Sequence, residues 1–157
     1  MTNGMFTEIL LGLLALLLVI AAVIDVRTFT ISNRMNLTVA LLAPLYWWSV
    51  GLPLWPDAAI QLGVAVAVFG LFSLAFFAGM MGGGDVKLAA ALALWFSPFA
   101  TVRFLVFMSI AGGVVTLVVL ARHRMLKKSG RPEVPYGVAI AAGALAILTQ
   151  RFLNQFA

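Results

Sequence analysis

Two aspartates carry the chemistry open to this chain. Asp85 follows three glycines, Gly82-Gly83-Gly84, at the start of an apolar run, and Asp25 closes the first apolar run. The chain has only five acidic residues. An ionisable side chain in a membrane-spanning segment marks a functional site by default. Splitting an amide with water needs one group to take a proton from the water and another to give one to the carbonyl oxygen. Two carboxyls sharing a proton supply both, because like charges a few ångströms apart resist joint ionisation. The glycines beside Asp85 let another backbone approach closely, since no side chain intervenes. Each feature also has a plainer reading. Asp25 can end a span and pair with Arg27, Asp85 can cap its helix as an N-cap residue, and the glycines can form a hinge. Two acids on one face beside a glycine break favour chemistry over these.

The elements that must hold the two acids are apolar throughout. The chain is 64% hydrophobic and 10% charged over 157 residues, with a mean hydropathy of +1.12. A soluble domain is nearer half apolar and a quarter charged, so lipid is the expected solvent. Apolar runs cover about 5–24, 35–50, 58–79, 86–97, 99–121 and 134–153. Most reach the roughly 20 residues that cross a hydrocarbon core of about 30 Å. The reading is an all-α, polytopic integral membrane protein with six transmembrane helices and no soluble domain, residues 1–157 forming one membrane-embedded unit. The first run lacks a basic flank and is longer than a usual signal-peptide core, so it is read as a span. The fourth run is too short: about 12 residues rise about 18 Å. Either the Ser97-Pro98 turn dips into the membrane or Asp85 is recessed, and non-helical backbone at that depth needs protein or a water-filled cavity around it.

Charge sets the orientation. Arg27, Arg34, Lys87, Arg122, Arg124, Lys127, Lys128 and Arg131 fall on one side of a six-span arrangement, and Arg103 and Arg151 on the other. Cytoplasmic loops are rich in Lys and Arg. The aspartates therefore face the cytoplasm and both termini lie outside. The net charge of +5 reflects this bias and not nucleic-acid binding. The 122–133 loop is expected to bind anionic lipid, where each basic residue contributes about 1 kcal/mol. His123 is read as a solvated loop residue. The chain has no cysteine and one histidine, which excludes disulfides, thiolate metal sites and a cysteine nucleophile. No metal or cofactor is called for. A helix N-terminus favours a negative charge and a C-terminus disfavours one, which assigns Asp85 as base and Asp25 as acid.

The motifs resemble a known family. Gly82-Gly83-Gly84-Asp85 is similar to the GxGD signature of membrane aspartyl proteases. Asp25-Val26-Arg27 through Ile31-Ser32-Asn33 resembles the first-aspartate motif of the type IV prepilin peptidases, Lys87 fits the same pattern, and Pro135-Tyr136-Gly137 looks like that family's last motif. The resemblance implies a bacterial inner-membrane aspartic endopeptidase. Such an enzyme cuts the basic leader from prepilins or pseudopilins at the cytoplasmic face, just before their hydrophobic helix. It carries over Asp25 and Asp85 as the catalytic pair, with Arg27, Asn33, Gly82, Gly83, Gly84, Lys87, Pro135, Tyr136 and Gly137 shaping the site. Long family members have an early cytosolic segment, often with paired cysteines, and many N-methylate the new pilin terminus. Here the first loop has about ten residues and no cysteine exists, so methyltransferase activity is not carried over. The compact form resembles the branch that serves Flp-type, tight-adherence pili.

Three alternatives stand beside this reading. One is a preflagellin-type peptidase of the same group. Another is a small proton-coupled transporter with the acids as relay, although such proteins often show internal repeats and none is evident here. The third is a scaffold in which the acids are dispensable. Trp47, Trp48 and Trp55 are read as interfacial anchors. Ala111-Gly112-Gly113, Gly137, Ala141 and Gly143 are read as close helix-packing positions. Glu8 and Arg103 are placed at the outer surface. Asn33 and Asn36 are expected to hold the first loop by hydrogen bonds.

Overall fold

A computed structural model describes residues 4–127, 130 and 132–155. The described residues form six α-helices and one π-helical turn. These are α1 (Gly4–Thr28), α2 (Asn33–Ser49), the turn Leu54–Ala58, α3 (Ala59–Phe77), α4 (Gly83–Ala93), α5 (Pro98–Met125) and α6 (Tyr136–Gln155). Four segments are long and apolar enough to cross a membrane: Gly4–Thr28, Leu54–Phe77, Pro98–Met125 and Tyr136–Asn154. At 17 residues, α2 sits at the lower limit for a span. With 11 residues, α4 rises only about 16 Å.

The shortness of α4 follows from where it sits. It packs against α2, α3 and α6, and Val86, Leu88, Ala89, Ala91, Leu92 and Ala93 are buried. A helix enclosed by protein need not match the thickness of lipid. Its far end is tied by two indoles: Trp47 Nε1 donates to the Leu94 carbonyl at 2.7 Å and Trp95 Nε1 to the Val39 carbonyl at 2.9 Å. Trp47 is thus a structural tie between α2 and α4 and not an anchor in lipid, whereas Trp48 and Trp55 are exposed as interfacial residues would be.

Lipid tails are as apolar as leucine, so helix association rests on close packing and hydrogen bonds. Gly143 of α6 shows this. A Cβ there would lie 2.8 Å from the backbone nitrogen of Met108 in α5, so only glycine permits that approach. On α1, Leu10, Leu11, Leu14, Leu18, Ala21 and Asp25 form the buried side that meets α2 and α6. A Cβ on Gly113 would meet nothing within 4 Å, so the small-residue reading holds for Gly143 and not for it.

One boundary departs from the sequence reading. The polar loop expected from residue 122 begins later, because α5 continues through Met125 with Arg122, His123 and Arg124 in its last turn. Cations there complement the negative end of the helix dipole, which lets a polar segment extend an apolar helix. Lys128 and Arg131 lie outside the described residues.

Candidate functional site

The ends of α1, α3 and α5 and the starts of α2, α4 and α6 share one end of the bundle, and the predicted site residues lie there. Chain reversal after α3 and after α1 has a local cause. After α3, Gly79 takes a left-handed conformation with φ of 70°. The Gly79 N–H then donates to Phe76 and the Met80 N–H to Ala75, both at 2.9 Å. This is the paired-bond helix stop that favours glycine. Gly82 is extended and caps α4, so Asp85 is its third residue and not its N-cap. The Asp85 carboxyl turns back toward the Gly82 N–H, and a Cβ on Gly82 would sit 2.9 Å from Asp85 Oδ2. After α1, Phe29 is left-handed with φ of 52°, and its N–H closes the helix on the Asp25 carbonyl at 2.8 Å. Ser32 then caps α2 by accepting from the Met35 N–H at 3.2 Å.

Asp25 is 2% exposed and Asp85 is 8% exposed. Both are therefore turned into the protein, while Arg27, two residues after Asp25, is exposed. The plain reading of Asp25 as a surface partner of Arg27 fails on this. Ile31 stands between their surroundings, meeting Gly84 just before Asp85 and, beside the Asp25 carboxyl, Gly137. The first turn of α6 meets Asp25, whose carboxyl lies beside the backbone N–H groups of Gly137 and Val138. A Cβ on Gly137 would fall 2.8 Å from Asp25 Oδ2 and 2.7 Å from Ile31 Cδ1. Asp25 Oδ2 accepts no hydrogen bond among the described residues. Each acid thus stands at a helix N-terminus, Asp85 within α4 and Asp25 against α6. The dipole argument that made one the base and the other the acid loses its basis.

Ile31 links the parts. A Cβ on Gly84 would lie 2.6 Å from the Ile31 carbonyl oxygen and 3.2 Å from its nitrogen, so the first loop passes directly over the glycine break. Asn36 locks the contact, its Nδ2 donating to the Gly84 carbonyl at 2.9 Å. Lys87 Nζ donates to Asn33 Oδ1 at 2.8 Å. The asparagines hold the first loop as expected, but by reaching across to α4. Gly83 faces the Phe76 ring. Pro135 is buried just before α6, and Tyr136 is half-buried. Tyr136 lines an apolar cleft of about 310 Å³ with Met80, Met81, Met108 and Gly112. Sequence reasoning passed over Ile31 as a site residue. Its signal was its place in the motif segment Ile31-Ser32-Asn33.

The segments Asp25–Asn36 and Gly82–Lys87 thus meet in one patch, in which Asp25, Ile31, Asn36 and Asp85 are buried while residues 26–30, 32–34, Gly82 and Lys87 are exposed, with the start of α6 against Asp25. No solved structure matches the chain. It is 32% identical over 147 residues to the prepilin leader peptidase/N-methyltransferase of Burkholderia pseudomallei strain 1026b, and equally to that of strain K96243. Each alignment covers 87% of this chain and 44% of the relative, so the chain spans less than half the length of these curated relatives. The family model described as the type IV leader peptidase family matches residues 12–117, an interval holding both aspartates, Ile31, Asn36 and the three glycines. A match over so much of the chain, on the residues that build the patch, shows that the chain belongs to the type IV leader peptidase family.

Proposed function

We propose that the chain is an aspartic endopeptidase that removes basic leaders from prepilins or pseudopilins, with Asp25 and Asp85 as its catalytic pair. The observation that carries this is the burial of both carboxyls, from helices far apart in sequence, around one shared residue: Ile31 meets Gly84, the neighbour of Asp85, and with the Asp25 carboxyl it meets Gly137. Among the described residues neither acid forms an ion pair that would explain its burial, and a buried charge without a partner is costly. One carboxylate takes a proton from water as the water oxygen attacks the scissile carbonyl carbon. The other carboxyl, protonated, gives its proton to the carbonyl oxygen. The gem-diol then collapses, the C–N bond breaks, and a proton passes to the leaving nitrogen. The Gly137 and Val138 N–H groups orient Asp25. The bare backbone at Gly82 to Gly84 lets an extended substrate strand approach Asp85.

The proposal includes a six-span arrangement in the bacterial inner membrane, with the aspartate end facing the cytoplasm and both termini outside. The exposed Arg122 and Arg124 at the end of α5 suit anionic lipid at that face. The compact segment between Asp25 and Asn33 fits the Flp-type, tight-adherence branch. Cleavage alone is proposed, without N-methylation.

Co-expression with a prepilin carrying a basic leader and one apolar helix tests the reading. Wild type shortens the pilin, while Asp25→Asn and Asp85→Asn leave it full length although both accumulate in the membrane. Normal processing by either variant removes the paired-acid mechanism.

A further inference from the structure

The end of the bundle opposite the aspartates holds a second built cavity. It has a volume of about 420 Å³ and is lined by Arg103, Arg151, Tyr46, Gln61 and Trp95 with apolar walls such as Leu11 and Leu148. That volume lies within the range of small-molecule sites. Two guanidiniums line it, and among the described residues no acidic side chain does.

The polar groups are held in place. Arg151 donates through Nη1 to the Tyr46 hydroxyl, and its guanidinium stands 5.4 Å from the Tyr46 ring centre. Tyr46 in turn stacks on Trp95 with centroids 5.1 Å apart and planes 25° apart, and Trp95 is tied to Val39. This fixes one planar fork of donors, the geometry that suits a phosphate, and among the described residues its other N–H groups make no hydrogen bond within the protein. Gln61 is 6% exposed, and its Oε1 accepts no hydrogen bond among the described residues. A buried acceptor without a donor is costly, so the ligand that fits brings a donor as well as a negative charge.

We propose that this cavity binds a phosphate ester of a polyol. The phosphate sits between Arg103 and Arg151, and a ligand hydroxyl donates to Gln61 Oε1. The same chemistry occurs in a phosphatidylglycerol headgroup and in free glycerol phosphate. The site is independent of the aspartates and of the peptidase reading.

The test is a thermal-shift titration of the full chain in neutral detergent. The probes are dihexanoyl phosphatidylglycerol, dihexanoyl phosphatidylcholine, glycerol phosphate and inorganic phosphate. Phosphatidylglycerol is expected to raise Tm in a saturable way and phosphatidylcholine not to. Removing one charge-assisted contact should weaken the effect about tenfold. Arg103→Gln tests this without touching the Arg151–Tyr46 contact, so loss of folding does not confuse the result. Gln61→Leu should narrow the preference of phosphatidylglycerol over inorganic phosphate. Arg34→Gln, an exposed arginine at the other end, should change nothing at this site. An equal shift with glycerol phosphate identifies a free metabolite as the source, and a shift with the lipid alone identifies the membrane. No shift with phosphatidylglycerol or glycerol phosphate overturns the proposal, as does an equal shift with phosphatidylcholine or a shift that Arg103→Gln leaves unchanged.

Discussion

Asp25 and Gly137 meet so closely that a single methyl group separates a working contact from a collision. An alanine at 137 would place its Cβ 2.8 Å from the Asp25 carboxyl and 2.7 Å from Ile31. Both neighbours are side-chain ends that can swing aside, so Gly137→Ala is expected to fold. Displacing Asp25 by a fraction of an ångström to an ångström can still cost on the order of 10²-fold in rate. Prepilin cleavage measured beside Tm checks this: a large loss of rate with Tm nearly unchanged is the expected outcome. Gly84→Ala behaves differently, because its Cβ meets the Ile31 carbonyl oxygen at 2.6 Å and backbone gives way poorly. It should lower stability by about 1–3 kcal/mol, read as a fall in Tm. Gly113→Ala, with open space around it, serves as the neutral control. The sequence marked Gly82 to Gly84 as one glycine break. It did not separate the helix cap at Gly82 from the close approach at Gly84, because only the path of the Ile31 loop makes that distinction.

Among the elements, α4 decides whether the site exists. It is too short to rely on lipid and is held instead at both ends, by Asn36 on the Gly84 carbonyl and by Trp47 and Trp95 at the other end. Each of these bonds satisfies a buried group whose loss costs about 1–3 kcal/mol. Trp95→Phe keeps the ring and removes the N–H that reaches Val39. It should lower Tm while leaving the cleavage rate per folded molecule within a few-fold of wild type. Asn36→Leu acts next to Asp85 and should lower both. The short apolar run at 86–97 announced an odd fourth element, since its length is written in the residues. Its enclosure by α2, α3 and α6 was not legible, because beyond Lys87 α4 is apolar on every side and helical periodicity then points nowhere. The end of α5 was misjudged for the opposite reason. Its polar last turn reads as loop, although helix hydrogen bonding continues through Met125.

For the whole molecule, the arrangement of ends is what brings Asp25, Asp85 and Gly137 together, although they are spread over much of the chain. Alternation of apolar runs and polar breaks already placed them at one end, so the neighbourhood was legible from sequence, while the contacts within it were not. The chain has no cysteine, which allows single cysteines to report orientation. Arg34→Cys and Lys87→Cys should react with a membrane-impermeant thiol reagent only from the cytoplasmic side, and Arg103→Cys only from the opposite side. Labelling of Lys87→Cys and Arg103→Cys from the same side would contradict the proposed crossing pattern.

The central claim is that Asp25 and Asp85 act as one unit, and turnover of a synthetic prepilin segment by the purified chain in lipid tests it most directly. Groups that work as a unit are strongly non-additive. Asp25→Asn and Asp85→Asn should each lower kcat by at least about 10³-fold, and the double variant should fall no further than the weaker single one. A single variant that keeps the wild-type rate, or a double variant whose loss is the product of the two single losses, would contradict it.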